Sequence, residues 1–146
     1  NSIINTQFVT GGNGTAIQWS TADLTQTIGT TDIELNSNGA SFQNSGSVAH
    51  VYNFSGFMNF SNTGTPGASV AMFAILNNGT SQNTISRIWY DNQTIDNDYP
   101  TIPFSFNVVL QPLDFVTMNA WTNSSAQILI NGQQTPYTSR IVITEF

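Results

Sequence analysis

Val48-Ala49-His50-Val51-Tyr52-Asn53-Phe54-Ser55-Gly56-Phe57-Met58-Asn59-Phe60 is the longest stretch of the chain that reads as one strand. Side chains on a strand alternate between its faces. Tyr52, Phe54, Gly56, Met58 and Phe60 therefore share one face, which reads as core. Val51, Asn53, Ser55, Phe57 and Asn59 share the other, a mixed surface suited to solvent or to another subunit.

The same grammar extends outward in both directions. Val, Ile, Thr and aromatic residues recur in short runs. The expected strands are Asn5–Val9, Ala16–Trp19, Ile33–Leu35, Ala40–Gln43, Val48–Phe60, Ser69–Leu76, Ile85–Tyr90, Phe104–Leu110, Phe115–Trp121, Ala126–Ile130 and Ser139–Glu145. Asn38-Gly39, Asn77-Asn78-Gly79, Asn131-Gly132 and the Gly-rich stretches at 11–14 and 63–67 supply turns between them. Strands at this spacing indicate a sandwich, barrel or jelly roll in a single domain spanning residues 1–146. Several strands carry apolar residues on both faces: Ile141 and Ile143 alternate with Arg140, Val142 and Thr144. A lone two-sheet sandwich needs only one apolar face per sheet, so the surplus predicts oligomerisation.

Composition narrows the partners. Among 146 residues there are eight acids and two bases, giving a net charge of −6, and the bases are Arg87 and Arg140. Nucleic acid is not an expected partner, because phosphate neutralisation needs Lys or Arg. No apolar run approaches the length of a membrane span, so membrane insertion is not expected. Cysteine is absent, which removes disulfides and thiolate chemistry. The chain opens on Asn1, so it is expected to be a processed product or the head of a longer protein.

The motifs, taken in order, resemble the tumour necrosis factor and complement globular-head superfamily, in particular its phage, viral and bacterial surface members. The resemblance runs from about Ala16 to Phe146. Ala16-Ile17-Gln18-Trp19, then Asn38-Gly39-Ala40-Ser41-Phe42, resemble its opening strands. Val51-Tyr52-Asn53-Phe54 is similar to its Gly-x-Tyr-x-Phe strand, and Leu76-Asn77-Asn78-Gly79 to its Asn-Gly turn. Leu110-Gln111-Pro112-Leu113-Asp114-Phe115-Val116 is similar to Leu-x-x-Gly-Asp-x-Val, with Leu113 where Gly is usual. Ser139-Arg140-Ile141-Val142-Ile143 resembles its closing strand. The resemblance implies an all-β, two-sheet antiparallel jelly-roll sandwich that forms a homotrimer. It places Asn53, Ser55, Phe57, Asn59, Arg140, Val142, Thr144 and Phe146 on the trimer interface. Arg140 would then need an acidic partner, for which Glu145 or a terminal carboxylate is the candidate.

Catalysis is not expected. His50 is the only histidine, no Gly-x-Ser-x-Gly accompanies it, and Asp23, Asp32, Glu34, Asp114 and Glu145 lie in separate strands or turns. Asp114, just after Pro112 and Leu113, is expected to fix its turn. Trp89, Tyr90, Asp91 and Tyr99 form a candidate ligand loop, since aromatic planes beside Asp and Asn suit a sugar. Asp91, Asp96 and Asp98 offer oxygen ligands of the kind Ca²⁺ takes, although their spacing matches no EF-hand and Asp and Asn are also common turn residues. No other cofactor is implied. Six glycosylation sequons occur, at Asn13, Asn53, Asn59, Asn78, Asn92 and Asn123, close to the number chance predicts.

The expected role is a trimeric head on a viral or phage spike or fibre, or on a bacterial surface filament. It would attach to a host-surface glycan or protein receptor, located on the virion surface or at the cell surface. A jelly-roll capsid or shell subunit and a secreted carbohydrate-binding module remain open. A Lys/Arg-rich segment upstream would favour the capsid, and a single-chain mass in solution would favour the module.

Overall fold

A computed structural model describes residues 2–3, 7–9, 15–19, 32–62, 69–91, 101–122, 128–130 and 139–146. The elements are β1 (Ser2–Ile3), β2 (Gln7–Val9), β3 (Thr15–Ala16), β4 (Ile33–Leu35), β5 (Ser41–Asn44), β6 (His50–Asn62), β7 (Ser69–Asn77), β8 (Gln82–Asp91), β9 (Thr101–Leu110), β10 (Phe115–Thr122), β11 (Ile128–Ile130) and β12 (Arg140–Glu145). The protein is all-β with two antiparallel sheets. In the first, β6 pairs with β9 on one edge and with both β11 and β12 on the other; β2 and β1 then join β11 and β12. The second runs β4-β5-β10-β7-β8, with β3 also on β10.

The alternation read from the long strand matches its burial except at Gly56, which is half-buried, and Asn59, which is buried. Tyr52, Phe54, Met58 and Phe60 are buried, while Asn53, Ser55 and Phe57 are half-buried. Val116, Met118 and Ala120 on β10 and Val70, Met72 and Ala74 on β7 come from the other sheet into the same core. A file of rings crosses between the layers. Trp19 lies 5.9 Å from Phe42, Phe42 meets Phe54 edge-on at 5.6 Å, and Phe54 stacks on Phe106 at 5.2 Å. Each such pair adds about 0.5–1.5 kcal/mol to what burial gives.

Several strand ends differ from expectation: β1 is not among the expected strands, β3 stops at Ala16 rather than Trp19, and β8 and β9 each begin three residues early. β9 begins at Thr101 rather than Phe104, so Pro103 lies within it, opposite Phe57. Proline lacks a donor, but among the described strands β9 pairs only with β6, and an edge strand tolerates that loss. β8 begins at Gln82, extended by the polar Gln82-Asn83-Thr84 that its pairing with β7 holds.

β11 and β12 lie along one edge of β6 as two pieces of a single track. Ile130 sits opposite Phe60 and Arg140 opposite Phe57. At the break the Asn59 N–H donates to the Ser139 hydroxyl at 2.8 Å, so a side chain supplies the missing rung. Beside it, Gly56 has φ +157°, and a Cβ there would run into the Arg140 carbonyl; close strand approach therefore requires glycine.

Candidate functional site

The registers assemble one outward sheet face from β9, β6 and β12. Val109 lies opposite Val51, Asn107 opposite Asn53, Ser105 opposite Ser55, Pro103 opposite Phe57 and Thr101 opposite Asn59. Across the other edge, Thr144 faces Asn53, Val142 faces Ser55 and Arg140 faces Phe57, while the Phe146 N–H donates to the Val51 carbonyl. All eight residues predicted for an interface thus fall on one continuous sheet face.

Their exposure is uneven. Val51, Val109, Val142 and Phe146 are 39%, 52%, 42% and 77% exposed, and they are four of the six large hydrophobic residues that the described part of the chain leaves exposed. Asn59 is different: it is buried, and its Nδ2 donates to the Thr101 hydroxyl at 2.9 Å. Asn53 Nδ2 donates to Asn107 Oδ1 at 2.8 Å, tying β6 to β9 across the surface. Of these residues only Arg140 is charged. Glu145 does not share its side of β12. It alternates inward and accepts from His50 Nδ1 at 2.8 Å.

His50 sits between two carboxylates. Its Nδ1 meets Glu145 and its Nε2 lies 3.3 Å from Asp32 Oδ2, at an angle too poor for a hydrogen bond. The two acids approach opposite ring nitrogens, so they do not converge on a point where a cation would sit. Among the described residues no cluster of three His, Asp or Glu side chains is placed to hold a metal ion. Neighbouring Tyr52 is buried, and its hydroxyl has no hydrogen-bond partner among the described residues. Burial first, then the nearby Glu145 and Asp32 charges, push its pKa up to about 12.

At the end of the sandwich, Asn44 joins three segments. Its Nδ2 donates to the Val48 and Leu110 carbonyls at 2.8 and 2.9 Å, and its Oδ1 accepts from the Gly46 N–H at 2.9 Å. Its backbone carbonyl accepts from Leu113. Asp114 Oδ2 accepts from the Gln111 N–H at 3.1 Å, the turn-fixing contact its position predicts. Leu113 itself stands at φ +70°, a left-handed conformation that glycine adopts at no cost.

The candidate ligand loop is only partly described. Trp89, Tyr90 and Asp91 close β8, opposite Ala71, Val70 and Ser69. Asp96, Asp98 and Tyr99 lie outside the described residues, so the calcium and sugar sites are not assembled here. Arg87, the other cation, lies over the Phe73 ring at 5.2 Å. Sequence reading passed over Asn44 and the pairing of His50 with Asp32 and Glu145, because nothing local marks partners so far apart in the chain. No protein-family model matches the chain, and no curated protein matches it.

Proposed function

We propose that the chain is a jelly-roll head of the tumour-necrosis-factor type. It assembles as a homotrimer on the β9–β6–β12 face and attaches a viral, phage or cell-surface structure to a host glycan or protein receptor. The observation that carries the assembly is the gathering of Val51, Val109, Val142 and Phe146 on one sheet face whose only charge is Arg140. Val109, Val51 and Phe146 form one row across the strands, and Val142 lies two rungs away, beyond Asn53 and Thr144. Exposed apolar residues gathered in this way support an interaction site, and a self-complementary cyclic assembly would remove them from water on every copy.

The strand order supports the jelly-roll reading. From β5 the chain crosses to the first sheet for β6, returns for the β7–β8 hairpin, crosses again for β9, returns for β10 and ends in the first sheet with β11 and β12. β6 thus finds β9 and β12 as neighbours while β10 slots between β5 and β7. Crossings of this kind support a Greek-key, jelly-roll reading. Three copies would present three equal receptor sites, and avidity would raise a weak single contact by orders of magnitude. Receptor specificity would be sought in the turn at 78–81 and in residues 63–68 and 92–100, which lie outside the described residues.

Sedimentation equilibrium tests the assembly. The wild-type chain should weigh three times its chain mass, and Val142→Arg, whose side chain points outward, should weigh one chain with an unchanged far-UV spectrum. A wild-type chain that stays single at high concentration ends the proposal. Cell-surface or glycan-array binding, compared between trimer and single-chain variant, tests attachment; equal binding by both would remove the avidity argument.

A further inference from the structure

Three of the sequons fall on described residues, and the fold uses their amides in opposite ways. Asn53 spends its nitrogen across the sheet surface: Nδ2 donates to Asn107 Oδ1 at 2.8 Å and to the Ser105 hydroxyl at 3.3 Å. Asn59 does the same toward Thr101 and is 2% exposed. Asn78, in the turn between β7 and β8, is inverted. Its Oδ1 accepts the N–H groups of Thr80 and Ser81 at 3.2 and 2.9 Å and both their hydroxyls at 3.1 Å. Its Nδ2 has no acceptor among the described residues. Residues 78–81 are all exposed, and a Cβ on Gly79 would meet nothing within 4 Å.

We propose that Asn78 is an acceptor site for an N-linked glycan, and that the fold closes Asn53 and Asn59 to the same modification. In the transfer, Nδ2 attacks the anomeric carbon of a lipid-diphosphate-linked oligosaccharide. A C–N bond forms, the C–O bond to the diphosphate breaks, the lipid diphosphate departs, and one amide proton passes to a base of the membrane-bound transferase. The Oδ1 atom is unchanged, so the four hydrogen bonds that close the hairpin survive. At Asn53 and Asn59 the sugar would take the place of a hydrogen the fold uses, and at Asn59 it would enter space closed to solvent. The hairpin belongs to the second sheet, so a glycan there leaves the β9–β6–β12 face bare.

The test is site mapping on the folded chain secreted from eukaryotic cells behind a cleavable signal. Chymotryptic peptides are compared after release by a peptide N-glycosidase in ¹⁸O water, against an enzyme-free control for spontaneous deamidation. The enzyme hydrolyses the glycosylated amide and converts each formerly glycosylated Asn to ¹⁸O-labelled Asp. Label is expected at Asn78, lost in Asn78→Gln and Thr80→Ala, and restored in Thr80→Ser, which keeps the hydroxyl. Asn53 and Asn59 should be unlabelled. An unlabelled Asn78, or label at Asn53 or Asn59 in folded protein, overturns the assignment.

Discussion

Replacing Tyr52 with Phe should flatten the alkaline arm of the stability profile. The hydroxyl is buried, unpartnered among the described residues, and shifted from 10.0 to about 12. Below pH 10 it is protonated in both folded and unfolded chains and adds no pH dependence. Between 10 and about 12 the unfolded chain releases its proton while the folded chain keeps it, so rising pH favours unfolding. A shift of about two units corresponds to at most about 2.7 kcal/mol lost by pH 12, roughly 1.4 kcal/mol per unit. Tyr52→Phe lacks this loss. Near pH 8 it should be as stable as the parent or better by up to ~1 kcal/mol, since it removes a buried polar group that makes no bond. Urea unfolding of both proteins at steps between about pH 8 and about pH 12 reads the difference, because the other tyrosines titrate equally in each. Parallel profiles would refute the argument and mean that the hydroxyl has water access.

Asn44→Ala should lower stability by about 3 kcal/mol, since two carbonyls and one N–H lose their partner in a closed site, and chemical denaturation measures it. Leu113→Gly should raise the unfolding free energy by up to ~1 kcal/mol, because relief of the left-handed strain exceeds the flexibility glycine adds to the unfolded chain; a lower melting temperature would contradict it. Phe54→Ala, at the centre of the ring file between the sheets, should cost about 3–5 kcal/mol in the same denaturation assay.

What the sequence made legible is what period-two patterning encodes. β6 shows it best: Tyr52, Phe54, Met58 and Phe60 point into the core because every second residue must. The start of β9 was hidden by Pro103, a breaker in the middle of a sheet but harmless on a strand with one neighbour. The start of β8 was hidden because Gln82, Asn83 and Thr84 carry no apolar signal; their place is set by β7 across the ladder. The apolar row of Val109, Val51 and Phe146 depends on register between strands far apart in the chain, which no local window holds. Asn44 carries no local signal in the sequence, and only the folded chain reveals it as a bolt joining three segments. The pairing of His50 with Asp32 and Glu145 is hidden for the same reason.

The interrupted track beside β6 separates chain length from sheet geometry. Ile130 and Arg140 meet Phe60 and Phe57, so the sheet advances far less between them than the polypeptide does, and the Ser139 hydroxyl stitches the gap. Both anchors are held by their own rungs on β6, so the register of each is set by its pairing rather than by the number of residues that join them. Each piece of the track is therefore registered independently, and the Ser139 hydroxyl ties the two registers together at the break.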